Sequence, residues 1–175
     1  MTRADAGRIE DLYEEILRDY GPALGRVAAI YERNAGRREE LFQEICFALW
    51  RALGGFERRS SLRTFVFRIA HNRGLTHRWR HHRADAEPLQ AAGDPRDPAP
   101  GPEESALASQ RRLKLKEAVE CLSLGQRQVI ALTLDGLSQS EIAEVLGISG
   151  NNVAVRVTRA RARLKELMSR EGRSS

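Results

Sequence analysis

The chain has 175 residues, 30% of them charged, with 29 Lys and Arg against 24 Asp and Glu, for a formal net charge of +5. Its mean hydropathy of −0.49 and the lack of any apolar run approaching the roughly 20 residues of a membrane span argue against a membrane protein. The polar stretch from Met1 to Asp11 does not read as a secretory signal.

The expected compartment is therefore the cytoplasm, and a sequence pI near 9.7 makes nucleic acid a natural partner. Residues 1–83 carry 16 basic and 11 acidic side chains, residues 84–104 carry 1 and 6, and residues 105–175 carry 12 and 7, so two basic blocks flank an acidic connector. Residues 1–83 show no alternating β-branched run and read as helix throughout. The pattern predicts helices at 9–20, 22–34, 38–53 and 61–83, with Pro22 in a first turn and Gly54-Gly55 ending the third. The fourth mixes Phe65, Ile69 and Trp79 with Arg63, Arg68, Arg73, Arg78, Arg80 and Arg83. Such a helix either stacks unpaired bases and holds phosphates, or buries its aromatics and solvates its arginines; the residues alone leave both readings open.

All four histidines, His71, His77, His81 and His82, fall in this helix. His77 and His81 share a face, but no Cys, Asp or Glu of the helix stands near to complete a zinc set and the surrounding arginines repel a cation, so no metal is expected. Cys46 and Cys121 lie in different halves and read as buried free thiols. No phosphate loop or nucleophile motif is present, so neither a cofactor nor a catalytic residue is expected, and the chain does not read as an enzyme.

Residues 84–104 hold five of the six prolines, with Gly93 and Gly101 and almost no large apolar side chain. They predict a flexible, semi-extended linker. The expected fold is all-α: two small helical domains, 1–83 and 105–175, joined by this linker at variable distance and each burying only a small core.

In the second domain, Ser138 and Glu141 form a capping box at the start of a short helix whose Ile142, Ala143, Val145 and Leu146 face inward. Gly147 suits a left-handed C-cap and Ser149 caps a following helix at once. There Val153, Val157, Ala160, Leu164 and Leu167 make one buried stripe, leaving Asn151, Asn152, Ala154, Val155, Arg156, Thr158, Arg159, Arg161 and Arg163 for solvent. This is a helix-turn-helix with a basic second helix. The N-terminal part of such a helix enters the major groove, where Arg bonds guanine edges and Asn adenine edges.

Together the two halves resemble bacterial sigma factors of the extracytoplasmic-function type. Glu39-Glu-Leu-Phe-Gln-Glu44, Gly55-Phe56 and the run Thr64 to Asn72 are similar to their region 2, and Leu122 to Leu167 to their region 4. The resemblance implies a protein that binds core RNA polymerase, carries it to promoter DNA and helps open the duplex. Glu39, Glu40, Leu41, Gln43 and Glu44 would dock on the β′ clamp, and region 4 on the β flap. Phe56, Ile69 and Asn72 would trap a base flipped from the minus-ten element, with Arg63, Arg73, Arg78 and Arg80 holding backbone phosphates. The recognition helix would read the minus-thirty-five element through Ala154, Val155, Thr158 and Arg159, flanked by Asn151 and Asn152, with Arg156, Arg161 and Arg163 nearer the backbone. An anti-sigma factor that clamps both domains is also implied, and the free chain is expected to be monomeric. With Ser175 soon after the recognition helix, no sensory domain is expected.

The chain departs from the family pattern at several points. Asn151-Asn152 stand where Gly-Thr is usual, Ala154 where a basic residue is frequent, Phe65 where Trp is, Ser123 where Pro often opens a helix, and Glu40 where Asp is usual. These changes bear on promoter choice. The other reading of the residues, a stand-alone helix-turn-helix regulator, would bind DNA without polymerase and usually as a dimer, and no dimerisation helix is evident.

Overall fold

The computed structural model describes residues 3–57, 59–84 and 106–171, and these form α-helices and turns only. The expected linker, residues 84–104, lies outside the described residues apart from Ala84, which ends a helix. The N-terminal half is α1 (Arg3–Tyr31), α2 (Ala35–Leu53) and α3 (Leu62–Ala84), and the C-terminal half is α4 (Ala106–Glu120), α5 (Leu124–Leu134), α6 (Gln139–Leu146) and α7 (Gly150–Glu171).

One boundary differs from the sequence pattern. Residues 9–20 and 22–34 were expected as separate helices, yet α1 runs through Pro22 without a break. An interior proline forfeits one helical hydrogen bond and costs about 3 kcal/mol. The buried stripe Ile16, Ala23, Leu24, Val27, Ala28 and Tyr31 keeps helical spacing on both sides of the exposed ring, so core packing offsets that loss. Elsewhere the caps decide. Asn34 Oδ1 accepts from the Arg37 N–H at 3.0 Å to open α2, and Leu41, Ile45, Leu49 and Leu53 then point into the core. At α5 the Ser123 N–H donates to Gln126 Oε1 at 3.0 Å, so a polar cap serves where proline is common.

The largest difference concerns the two halves. They do not stand apart: α5 lies against α1 and α6 against α3. Val129, Leu132, Leu137, Ile142, Val145 and Val153 join Ile16, Leu24, Val27, Leu41, Ile45, Val66 and Phe67 in one continuous buried cluster, while Leu122, Ile130 and Ala160 form a smaller satellite core. Units of this size bury little apolar surface alone, so sharing a core removes surface that neither half could cover.

A buried polar relay crosses the same boundary. Gln128 Nε2 on α5 donates to Tyr31 Oη on α1 at 2.7 Å, so the single phenolic proton goes to His71 Nδ1 on α3, also at 2.7 Å. That sets His71 as the neutral tautomer protonated at Nε2, an atom with no hydrogen-bond partner. Burial lowers the His71 pKa to about 4 and raises that of the Tyr31 phenol.

Candidate nucleic-acid interface

The helix-turn-helix is built as its caps require. Glu141 Oε2 accepts from the Ser138 N–H at 2.8 Å, and the Glu141 N–H donates to Ser138 Oγ at 3.3 Å. Gly147 takes φ 64° and ψ 36°, which a Cβ would resist, and Ser149 Oγ accepts from the Asn152 N–H at 3.2 Å to start α7. Ile142, Val145, Val153 and Ala160 are buried, and Ala143, Leu146, Val157, Leu164 and Leu167 are half-buried, which orients α7 against α5 and α6.

On the outer face of α7, Asn151, Asn152, Val155, Thr158, Arg159, Arg161 and Arg163 are exposed. Ala154 and Arg156 are only half-exposed. Ala154 and Thr158 line a groove of about 290 Å³ with Thr133, Leu137 and Gln139, and the Arg156 Nε–H donates to Asn152 Oδ1 at 2.9 Å. Arg163 pairs with Glu166 at 2.8 Å. Asn151, Val155, Thr158 and Arg159 are thus the exposed side chains of the first turns that make no such side-chain pairing.

The second basic surface is on α3. Phe56, just beyond α2, packs on Phe65 with ring centroids 4.5 Å apart, and Phe65 sits one turn from Ile69 and two from Asn72. Phe56, Phe65 and Ile69 are half-buried while Asn72 is exposed, so the structure brings an apolar shelf and a free amide to one end of one face. Trp79 is 62% exposed and is not a core residue. The arginines differ in their surroundings. Arg78 lines an open cleft of about 660 Å³ between the halves with Leu75, Thr76, Trp79 and Leu124, and Arg73 is half-buried. Arg80 Nη2 reaches both oxygens of Glu44 at 2.7 Å, and Arg63 Nη2 both oxygens of Glu141 at 3.0 and 3.1 Å. The Ser138 backbone N–H, then Arg63, hold the Glu141 carboxyl down at about 2.

On α2, Glu39, Glu40 and Gln43 are exposed and Glu44 is half-buried against Arg80 and His77. Leu41 does not belong with them. It is fully buried, because it falls on the core stripe with Ile45 and Leu49, and it positions the helix from beneath. The spacing misses two neighbours on the outer side, Phe47 (61% exposed) and Trp50 (39%), whose ring meets Tyr13 edge-on at 5.2 Å. Large apolar residues off the 41, 45, 49 and 53 stripe are the signal that finds them.

His77 is fully buried on α3 between Glu32 (3.6 Å) and Glu44 (3.8 Å), with the His81 ring 4.3 Å away. Burial leads in lowering its pKa, helped by His81 and opposed by the two carboxylates. His82 has no described side chain. No group of three His, Cys, Asp or Glu able to hold a metal ion occurs among the described residues, and no described helix is long and apolar enough to cross a membrane. Cys46 is half-buried, but Cys121, expected inside, is exposed, because α4 ends at Glu120 and turns it outward.

Both halves match known families. The model for sigma-70 region 2 matches residues 16–84, and that for sigma-70 region 4 matches residues 112–164. The RNA polymerase sigma factor CnrH of Cupriavidus metallidurans is 30% identical over 185 positions, covering 96% of this chain and 97% of that protein. The ECF RNA polymerase sigma factor ShbA of Streptomyces griseus is 34% identical over 74% of this chain and 70% of its own length. Among solved structures, the sigma factor RpoE of Bartonella quintana, in complex with the anti-sigma factor NepR, superposes with a TM-score of 0.74 at 26% identity, covering 91% of this chain and 98% of that one.

Proposed function

This chain belongs to the sigma-70 family, among its extracytoplasmic-function members, and on that premise we propose that it binds core RNA polymerase and directs it to promoters through two separate DNA readings. Region 2, residues 1–83, takes the minus-ten element as single strand, and region 4, residues 105–175, takes the minus-thirty-five element as duplex. The observation that carries this reading is the outward face of α7, where Asn151, Asn152, Val155, Thr158 and Arg159 stand exposed beyond a fully capped helix-turn-helix.

On region 2, the Phe56 and Ile69 shelf beside the free Asn72 amide supports capture of an unstacked base: the apolar groups pack its faces and the amide bonds its edge. Arg63, Arg73, Arg78 and Arg80 are the phosphate contacts. Tighter binding to single strand than to duplex shifts the opening equilibrium by that difference, so ATP is not required and the role is non-catalytic. The exposed Glu39, Glu40 and Gln43, with Phe47 and Trp50 alongside, form the surface for the β′ clamp, and region 4 meets the β flap. An anti-sigma factor, as NepR is for the Bartonella protein, would bind across the cleft between α3 and α5.

The test is run-off transcription with purified core polymerase on fragments from upstream of the chain's own gene. Transcripts with defined starts that require both core and this chain are the expected result. Duplex binding that is indifferent to polymerase, with no transcript, refutes it in favour of a conventional regulator.

A further inference from the structure

The first two turns of α7 offer a base fewer hydrogen-bonding groups than a basic helix suggests. Asn151, Ala154, Val155 and Thr158 recur at helical spacing and make one outward stripe that ends beside Arg159. Asn152 is already engaged, its Oδ1 accepting from the Arg156 Nε–H at 2.9 Å. Val155, although β-branched and apolar, is 39% exposed, and Thr158 brings a further methyl one turn on. Ala154 and Thr158 edge the groove of about 290 Å³, whose floor is Leu137, Ile142, Val153 and Val157, and no described residue lining it is charged. Gln139 Nε2 donates to the Gly150 carbonyl at 2.7 Å, which ties the start of α6 to the first turn of α7 and holds the groove in place.

Among the base edges of the major groove, the thymine 5-methyl group is the apolar feature, and apolar side chains are its partners. A strip of methyl groups is a poor match for a cytosine amino group or a guanine carbonyl, which would lose water there without gaining a hydrogen bond. Resting on the promoter reading proposed above, we propose that the first turns of α7 recognise thymine methyl groups. Ala154, Val155 and Thr158 pack on adjacent A·T pairs of the minus-thirty-five element, and Arg159 takes the hydrogen-bonding edge of a neighbouring pair. From Ala154 to Thr158 the helix rises about 6 Å, at roughly 1.5 Å per residue. That is close to two base-pair steps of about 3.4 Å, which sets the number of methyl-read pairs at one or two.

The test uses holoenzyme reconstituted from purified core polymerase and the full chain, with labelled promoter duplexes from upstream of the chain's own gene. Each thymine of the minus-thirty-five element, on either strand, is replaced singly by deoxyuridine. That exchange removes the methyl group and leaves every hydrogen-bonding group of the base in place. The same series is run with the double variant Val155→Ser and Thr158→Ser. Both positions are exposed, and serine has a helix propensity close to that of valine and threonine, so the fold and its caps are kept.

Burial of one methyl group corresponds to about fourfold in affinity. Uracil at one or two adjacent positions should therefore weaken binding of the wild-type holoenzyme about three- to fivefold each, and at one or both of them the double variant should reduce that penalty to under about twofold. A purely structural role of Val155 and Thr158 would weaken thymine and uracil duplexes alike and leave their ratio unchanged. Wild-type holoenzyme indifferent to uracil at every position overturns the proposal. A uracil penalty that the double variant leaves unchanged at every position also overturns it, and assigns the methyl effect to duplex shape. If holoenzyme holds the duplex no better than core polymerase alone, the promoter reading itself has failed and this inference falls with it.

Discussion

Replacing Gly74 by alanine tests the packing at the junction of the two halves, because two principles predict opposite signs. Gly74 is buried in the middle of α3, and in a helix interior alanine is favoured over glycine by about 1 kcal/mol. Here, however, a Cβ would fall 2.2 Å from Tyr31 Cδ2, 2.5 Å from Cε2 and 2.7 Å from Cγ. The ring cannot swing clear, since it is 6% exposed and its hydroxyl bonds both His71 and Gln128. Overpacking costs about 1–3 kcal/mol, and losing two buried hydrogen bonds about 1 kcal/mol each. After the propensity gain, Gly74→Ala should destabilise by roughly 2–4 kcal/mol, or a fall in Tm of about 5–15 °C for a chain of this size. Circular dichroism melts at pH 7.5 measure it. In a Tyr31→Ala background the clash disappears, and the same substitution should be neutral or stabilising. A single Gly74→Ala variant as stable as wild type would refute the argument and show that Tyr31 is free to move.

Because burial holds His71 near 4 against an ordinary 6.5, the unfolded chain takes up its proton first as pH falls; stability is full above 6.5 and drops by about 3 kcal/mol toward pH 4. Urea denaturation at pH 7.5, 5.5 and 4.5 should show this loss and should show less of it in His71→Gln, whereas identical pH dependences would remove His71 as its source. Gly147 has open space where a Cβ would go, so Gly147→Ala should cost only its left-handed backbone, roughly 1–2 kcal/mol, and Gly147→Asn clearly less. Equal melts for the three proteins would show that the turn relaxes. Arg159→Ala should weaken duplex promoter binding by roughly 1–3 kcal/mol and relax preference at one base pair, read by competition with singly substituted duplexes. Uniform weakening across all sequences would reassign Arg159 to the phosphate backbone.

Much of this molecule is legible in the chain because its signals are local. The Ser138 and Glu141 box, Gly147, Ser149 and the α7 stripe act over three or four residues, and the structure follows them. The basic face of α7 follows from that register. The site on α3 is legible only in part: the sequence offers its aromatics and arginines, but not that Phe56 meets Phe65, that Trp79 stays outside, or that Arg63 and Arg80 are engaged by Glu141 and Glu44. Leu41 reads as part of an acidic docking segment until the packing of α2 puts it on the core stripe.

The sequence by itself determined α2, α3, the helix-turn-helix of α6 and α7 with its caps, and the two-part plan, since each is written in periodicity and in residues that satisfy nearby backbone groups. Tertiary structure alone decided that α1 continues through Pro22, that Gly74 makes room for Tyr31, and that the two halves share a core. The partners in that junction lie far apart along the chain, 97 residues for Gln128 and Tyr31, 78 for Arg63 and Glu141, and 109 for Arg26 and Asp135. No local propensity links such residues; only the burial of apolar faces that neither half can cover alone brings them together.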